Sequence, residues 1–261
     1  GLWLNTNGAP FGLIVDKGYV GIGTTTPNNL LQVSGLINFP NDTFGTFLGY
    51  RAGNVNTGDN NTFVGYQSGL SNTTGSANTA VGKYALQNNT YGKWNSAIGM
   101  FSLANNTEGN FNTAVGKYAF FFNNIGNYNS AIGTAAGKYQ ADGIAALETA
   151  NNSVYIGAYS RGFNNSDDNS IVIGASAIGI GANSVVLGNN SIVTTALKGK
   201  IGIGTTNPQG TLDIVSTTGA FIVPRMTSAQ RDALTAVNGM IIYNTTTNQF
   251  NFRENEAWVL K

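Results

Sequence analysis

The sequence predicts an all-β protein, most of it a parallel β-roll solenoid in mainly 17-residue coils, with small β-rich modules at the ends. Three observations carry this prediction. First, Asn61-Thr62-Phe63-Val64-Gly65 returns at one constant interval as Asn78-Thr79-Ala80-Val81-Gly82, Asn95-Ser96-Ala97-Ile98-Gly99, Asn112-Thr113-Ala114-Val115-Gly116 and Asn129-Ser130-Ala131-Ile132-Gly133. A fixed period of this size marks stacked copies of one small unit. Second, the hydrophobic 41% of the chain comes in short runs, the pattern of many short strands. Third, 35 glycines accompany a charged fraction of only 10%, against about a quarter in ordinary globular chains. Solubility therefore rests on Asn, Thr and Ser.

Composition also excludes several functions. A formal charge of +1 over 261 residues provides no field for nucleic acid or an acidic membrane. Without cysteine or histidine, the chain has no disulfide, no thiolate zinc site and no histidine-based triad. No apolar run reaches the roughly 18 residues of a membrane-spanning helix. The start at Gly1, without methionine or a signal-like segment, reads as a processed or cut product.

Taken in order, residues 1–45 form a β-rich connector, with strands expected at 2–4 and 13–15 between Asn-Gly and Pro turns. Tyr19-Val20-Gly21-Ile22-Gly23-Thr24-Thr25-Thr26-Pro27 follows, and it recurs as Lys200-Ile201-Gly202-Ile203-Gly204-Thr205-Thr206-Asn207-Pro208. Each copy reads as a strand, a Thr-rich turn closed by Pro, and a second strand. The same module is thus expected on either side of the repeats, at 201–216 in its second copy. Gly21-Ile22-Gly23 is not a nucleotide-binding loop, because a strand and not a helix follows it.

The solenoid is expected over 46–200. Looser copies of the phrase extend it back to Gly49 and forward to Gly157, Gly174 and Gly188. Asn61, Asn78, Asn95, Asn112 and Asn129 stack as a polar ladder, and Gly65, Gly82, Gly99, Gly116 and Gly133 mark the corners. Lys83-Tyr84-Ala85-Leu86 is read as a second strand past the corner, and the Asn-rich stretch after it as the turn. Val64, Val81, Ile98, Val115 and Ile132 are taken as one interior ladder and Ser68, Ala85, Ser102, Ala119 and Ala136 as the other. That interior is thin. Phe63, Ala80, Ala97, Ala114 and Ala131 on the other strand face, with Tyr84, Phe101 and Tyr118, then call for a second burial surface. Identical chains around a common axis would supply it.

Two breaks in the rhythm and one apolar run are candidate recognition features. The step from Gly133 to Gly157 is longer than the others, with an insertion at 141–150 that carries Asp142 and Glu148. The step from Gly174 to Gly188 is shorter. Phe120-Phe121-Phe122 reads either as a platform for sugars or aromatics or as an interior or intersubunit contact. In residues 217–261, a capping box at Thr227 and Gln230 opens a short helix, and three strands follow in a meander that caps the solenoid. Trp258 on the last of these reads as packing, with a ligand site as the alternative. Asp167-Asp168 reads as a solvated turn. No spacing of carboxylates suggests catalysis, and no cofactor or metal site is expected.

The Asn-Ser-Ala-Ile-Gly unit of residues 95–99 and Asn183-Ser184-Val185-Val186-Leu187-Gly188 resemble the head repeats of trimeric autotransporter adhesins. The Gly-Ile-Gly-Thr modules, together with Val223-Pro224-Arg225-Met226 and Asn238-Gly239-Met240-Ile241-Ile242-Tyr243, resemble parts of phage tail fibres and Bacteroidetes-type surface proteins. These resemblances imply an intertwined homotrimer, extracellular and non-enzymatic. The expected role is a fibre on a phage tail or injection particle that meets a cell-surface glycan or protein receptor, attached to other fibre or anchor domains. A bacterial trimeric surface adhesin is the alternative, and a glycan-depolymerising tailspike a more distant one.

Overall fold

A computed structural model describes residues 44–260, together with the backbones of β1 (Leu13–Asp16), β2 (Tyr19–Ile22) and β3 (Leu31–Val33). The strand expected at 2–4 and the Thr-Pro turn after Gly23 lie outside the described residues. The chain divides into two compact units, Gly1–Val193 and Thr194–Lys261.

The first unit holds a parallel sheet of nine three-residue strands in strict chain order: β4 (Thr46–Leu48), β5 (Thr62–Val64), β6 (Thr79–Val81), β7 (Ser96–Ile98), β8 (Thr113–Val115), β9 (Ser130–Ile132), β10 (Val154–Ile156), β11 (Ile171–Ile173) and β12 (Val185–Leu187). The register follows the repeat, so that Ala80 faces Ala97 and Ala97 faces Ala114. At about 4.8 Å per parallel step, the nine strands make a rod on the order of 40 Å long. The chain therefore climbs one strand per coil.

One of the two expected interior ladders, Ser68, Ala85, Ser102, Ala119 and Ala136, is buried, whereas the strands face the opposite way to that expected. Phe63, Ala80, Ala97, Ala114, Ala131, Tyr155 and Val172, the middle residues of their strands, are buried. The Val/Ile ladder is on the outside, with Ile98 45% exposed. Buried Asn residues set this choice, because strand alternation puts every second residue on one face. Asn95 and Ala97 share the inner face, which leaves Ile98 outside. Each Asn side chain fills the coil with hydrogen bonds: Asn95 donates to the Gly109 carbonyl at 2.8 Å and accepts from the Asn112 backbone N–H at 3.0 Å.

The second wall is likewise not a strand. Tyr84 and Leu86, like Phe101 and Leu103 one coil on, have left-handed φ. That alternation turns successive N–H groups in opposite directions along the rod. Tyr84 N–H bonds back to Tyr66 at 2.9 Å and Leu86 N–H forward to Ser102 at 3.0 Å. The wall thus gains inter-coil bonding without strand geometry, and side chains such as Ala85 and Leu86 remain buried.

Where the coils lose their Asn column, the core is rebuilt around a carboxylate. Asp167 is fully buried, a correction to the solvated turn expected there, while Asp168 is exposed. Asp167 Oδ2 accepts from the Tyr155 hydroxyl at 2.8 Å and from the Phe163 N–H at 3.1 Å. Burial first, and then the Asp167 charge, push the Tyr155 phenol far above its usual pKa of 10.0. A raised folded value means that the stability from this proton is complete below the unfolded value and is lost as pH rises above it. Tyr155→Phe is expected to cost about 1–3 kcal/mol at neutral pH by removing a donor from a buried carboxylate. It also flattens the fall in stability above pH 10. Thermal midpoints of wild type and variant at pH 8 and pH 11 check both effects.

In the second unit, β13 (Ile201–Ile203) pairs in parallel with β14 (Leu212–Ile214), Ile201 opposite Leu212. β2 and β3 repeat that arrangement with Val20 opposite Leu31, so the two Gly-Ile-Gly modules share a register as well as a motif. β15 (Arg225–Met226), β16 (Ile241–Asn244), β17 (Gln249–Glu254) and β18 (Ala257–Leu260) form a mixed sheet in that order, and β15 is a strand not foreseen. Helix α1 (Ser228–Asp232) opens with the expected capping box at Thr227 and Gln230. Arg231 Nη1 ties the helix to Asn251 Oδ1 at 2.9 Å.

Candidate recognition surface

The outer surface of the solenoid is built from repeat columns. Two residues after the anchor glycines stand Tyr84, Phe101, Tyr118, Ala135, Tyr159 and Ser176, all with left-handed φ. Tyr84, Phe101 and Tyr118 stack at 4.7 and 5.1 Å between centroids. Ala135 interrupts this aromatic ladder, and Tyr159, 57% exposed, resumes it one coil later. A second column, Trp94, Phe111 and Tyr128, stacks at 4.7 and 4.8 Å with nearly parallel rings.

The insertion lies beside the interruption. It forms a loop and not a helix, because its polar groups close on each other. Tyr139 and Ala146 form an antiparallel bridge, and Gln140 N–H bonds to Ala145 O at 2.9 Å. Asp142 Oδ1 accepts from the N–H groups of Ile144 and Ala145 at 2.8 and 2.9 Å. Those two bonds, and to a smaller degree the Arg161 charge, hold the Asp142 carboxyl below its usual pKa. Asp142 therefore shapes the loop. Glu148 lies at the return to the coil, with an exposed side chain and with backbone bonds to Asn124 and Asn165.

The three phenylalanines divide. Phe120 is completely buried in the core against Tyr155, so of the two readings of this run it takes the interior one and is not a surface contact. Its left-handed φ turns it inward, as at Leu86 and Leu103 in the same column. Phe121 and Phe122 are half-buried and pack edge to face. Lys138 Nζ lies 4.5 Å from the Tyr118 ring centre, 5.1 Å from that of Phe121 and 4.8 Å from that of Tyr139, within cation–π range. Trp258 is in the other unit, half-buried between the guanidinium groups of Arg231 and Arg253 at 5.9 and 5.8 Å.

A cavity of about 140 Å³ opens where the ladder is interrupted, lined by Ala135, Tyr139, Gly143, Tyr159 and Arg161. Arg161 Nε is buried without a hydrogen-bond partner. Gly143 has φ +73°, and a Cβ there would come within 2.5 Å of Arg161 Nη1. Glycine therefore leaves room for the guanidinium. Sequence reasoning passed over Ala135, Tyr139, Tyr159 and Arg161. The signal was present in the Tyr84, Phe101, Tyr118 column, and carrying it across the long step from Gly133 to Gly157 finds both the gap and Tyr159.

Among the described residues no three His, Cys, Asp or Glu side chains are grouped to hold a metal ion, and no helix is long and apolar enough to cross a membrane. The fold defines a parallel β-solenoid repeat protein with a small mixed-sheet C-terminal unit. Residues 202–261 match the family model described as a phage tail like trimerisation region. No curated protein and no solved structure matches the chain.

Proposed function

We propose that three copies of this chain form an intertwined, non-enzymatic extracellular fibre that attaches a phage tail or phage-like injection particle to a bacterial surface. The observation that carries this reading is how little core the end unit has. Among the described residues of 194–261, Ile242 is the single buried apolar side chain, while Phe221 and Ile222 are each 68% exposed. A unit with so little apolar burial does not offset its ordering entropy alone. The likeness of 202–261 to a trimerisation region supplies the partner, two further copies. A groove lined by Phe221, Ile222, Tyr243 and Phe250 is shaped to take their apolar side chains.

The solenoid adds a second surface of the same kind. Its outward row, from Leu48 through Ile98 and Ile132 to Leu187, is apolar and open along the rod. Threefold association covers such a row once per subunit. The phage-tail description of the matched region favours the fibre over the bacterial adhesin. The receptor is a cell-surface glycan or protein, with the insertion, Phe121, Phe122 and Trp258 as candidate contacts. Residues 1–45 and 201–216, before and after the 46–200 repeats in the chain, serve as connectors to other fibre or anchor domains.

Ile222→Asp in the full chain tests the assembly. The expected result is a fall in solution mass from three times 27.3 kDa to that of a single chain, with the β-sheet circular dichroism of the solenoid retained. A variant that stays trimeric overturns the reading of this groove as the subunit contact.

A further inference from the structure

We infer that the cavity at Ala135 is a binding site for a carboxylated sugar, with Arg161 holding the carboxylate and Tyr159 and Tyr139 flanking the ring. The inference rests on the attachment reading above and names the receptor chemistry for it. Three observations converge. The aromatic ladder loses one ring at Ala135, and the space is bordered by exposed Tyr159. By contrast, in the Trp94, Phe111 and Tyr128 column stacking covers both faces of Phe111 and one face each of Trp94 and Tyr128. Aromatic faces, and not edges, are what the apolar C–H face of a pyranose covers.

Charge selects the kind of sugar. Arg161 is a permanent cation whose Nε is buried without a hydrogen-bond partner, and a buried unpaired donor of this type is costly until an acceptor arrives. A planar carboxylate matches the guanidinium fork with two charge-assisted bonds. Lys138 does not line the cavity, but its Nζ lies 4.8 Å from the centre of the Tyr139 ring that does and adds a second positive charge nearby. The opposing charge is Asp142, whose Oδ1 is occupied by the Ile144 and Ala145 N–H groups. Asp142 keeps its negative charge, and Arg161 and Lys138 against it leave one net positive charge among these three groups. A cavity of 140 Å³ is well below the roughly 300–1,000 Å³ of sites that enclose a drug-sized ligand. It suits one acidic residue of a glycan, with the rest of the chain outside.

Local architecture agrees. The site exists only where the coil is lengthened, between Gly133 and Gly157, and the insertion provides Gly143 while the coil wall provides Ala135, Tyr159 and Arg161. In solenoids, insertions of this kind collect on one face and carry binding. The neighbouring coils show that the Ala135 position accepts an aromatic residue at the same left-handed φ, as at Tyr118 and Tyr159. Ala135→Tyr is therefore a substitution that fills the site while keeping the fold.

The test is calorimetric titration of the 261-residue chain with glucuronate, galacturonate and N-acetylneuraminate, each against its neutral methyl ester. At least one acid is expected to bind saturably below about 10 mM, with its ester at least about tenfold weaker. Arg161→Gln should weaken the acid by at least about tenfold, and Ala135→Tyr should abolish binding, both with unchanged solution mass and circular dichroism. Absence of saturable binding for all three acids overturns the proposal, as does binding that survives Ala135→Tyr. Attachment to bacterial cells separates this result from the wider reading. Wild type and Ala135→Tyr adhering equally would sink the sugar site while the fibre stands, and failure of both to adhere would sink the attachment reading itself.

Discussion

Asn95→Asp is expected to destabilise the solenoid by at least about 3 kcal/mol at pH 7, because it buries an isosteric charge among acceptors. The Asn95 amide donates to the Gly109 carbonyl at 2.8 Å and to Asn78 Oδ1 at 3.2 Å. A carboxylate has no proton for either, and it turns both contacts repulsive. Its other oxygen keeps the Asn112 N–H groups, so the loss is confined to the donor side. Protonation restores one donor. The carboxyl introduced at this position has its folded pKa raised, so the penalty is smallest below the unfolded value of about 3.9 and grows as pH rises through the folded one. Urea midpoints of wild type and Asn95→Asp at pH 4 and pH 7 measure this. A deficit that is equal at the two pH values would contradict it.

Gly99→Ala is the second large effect, expected at about 3 kcal/mol or more from backbone strain added to steric overlap. Gly99 has φ +127°, and a Cβ there would lie 2.7 Å from the Gly116 carbonyl carbon and oxygen. These are backbone atoms of the next coil and have no rotamer through which to move away. The coils must separate at that step. In a one-dimensional array, stability is a sum of coil and neighbour terms, so the damage divides the rod into two shorter stacks. Amides of β7 and β8 should lose hydrogen-exchange protection before those of β4 or β11. Gly210→Ala is the control: its Cβ meets only Leu212 O at 3.7 Å, and its effect should stay within about 0.5 kcal/mol.

The period was legible in the sequence because stacking forces identical residues into register: Asn78, Asn95 and Asn112 bond to one another through the rod, so none drifts from its place. The facing of the strands was not. Thr79-Ala80-Val81 offers Val81 as the more apolar candidate for the core, and hydrophobicity alone chooses it. What decides is that Asn78 and Asn95 must have their amides buried to satisfy the corners, and Ala80 then shares their face. The Tyr84-Ala85-Leu86 wall was misread as a strand for a related reason. Left-handed φ at a tyrosine and a leucine has no signature in composition, and it is held there by the coils on either side. Asp167 escaped notice because its burial depends on a partner distant in sequence, Tyr155.

In the end unit the capping box, helix and meander were readable from local pattern, since each rests on neighbours in sequence. Its surplus of exposed apolar side chains, Phe221 and Ile222 foremost, is assigned by the proposed trimer to contacts between chains, which a single sequence does not display as a pattern. The same holds for the candidate site. Phe121 and Phe122 stood out as a run, whereas Arg161 and Ala135 are brought to one cavity by the unequal step between coils.

Sedimentation equilibrium of the 261-residue chain over a wide dilution series tests the central claim most directly. The account predicts a single species of three times 27.3 kDa that does not dissociate on dilution, because the end unit depends on its partners for a core. A stable, folded species of 27.3 kDa would contradict it, and would require Phe221, Ile222 and the Leu48-to-Leu187 row to remain open to water in the native protein.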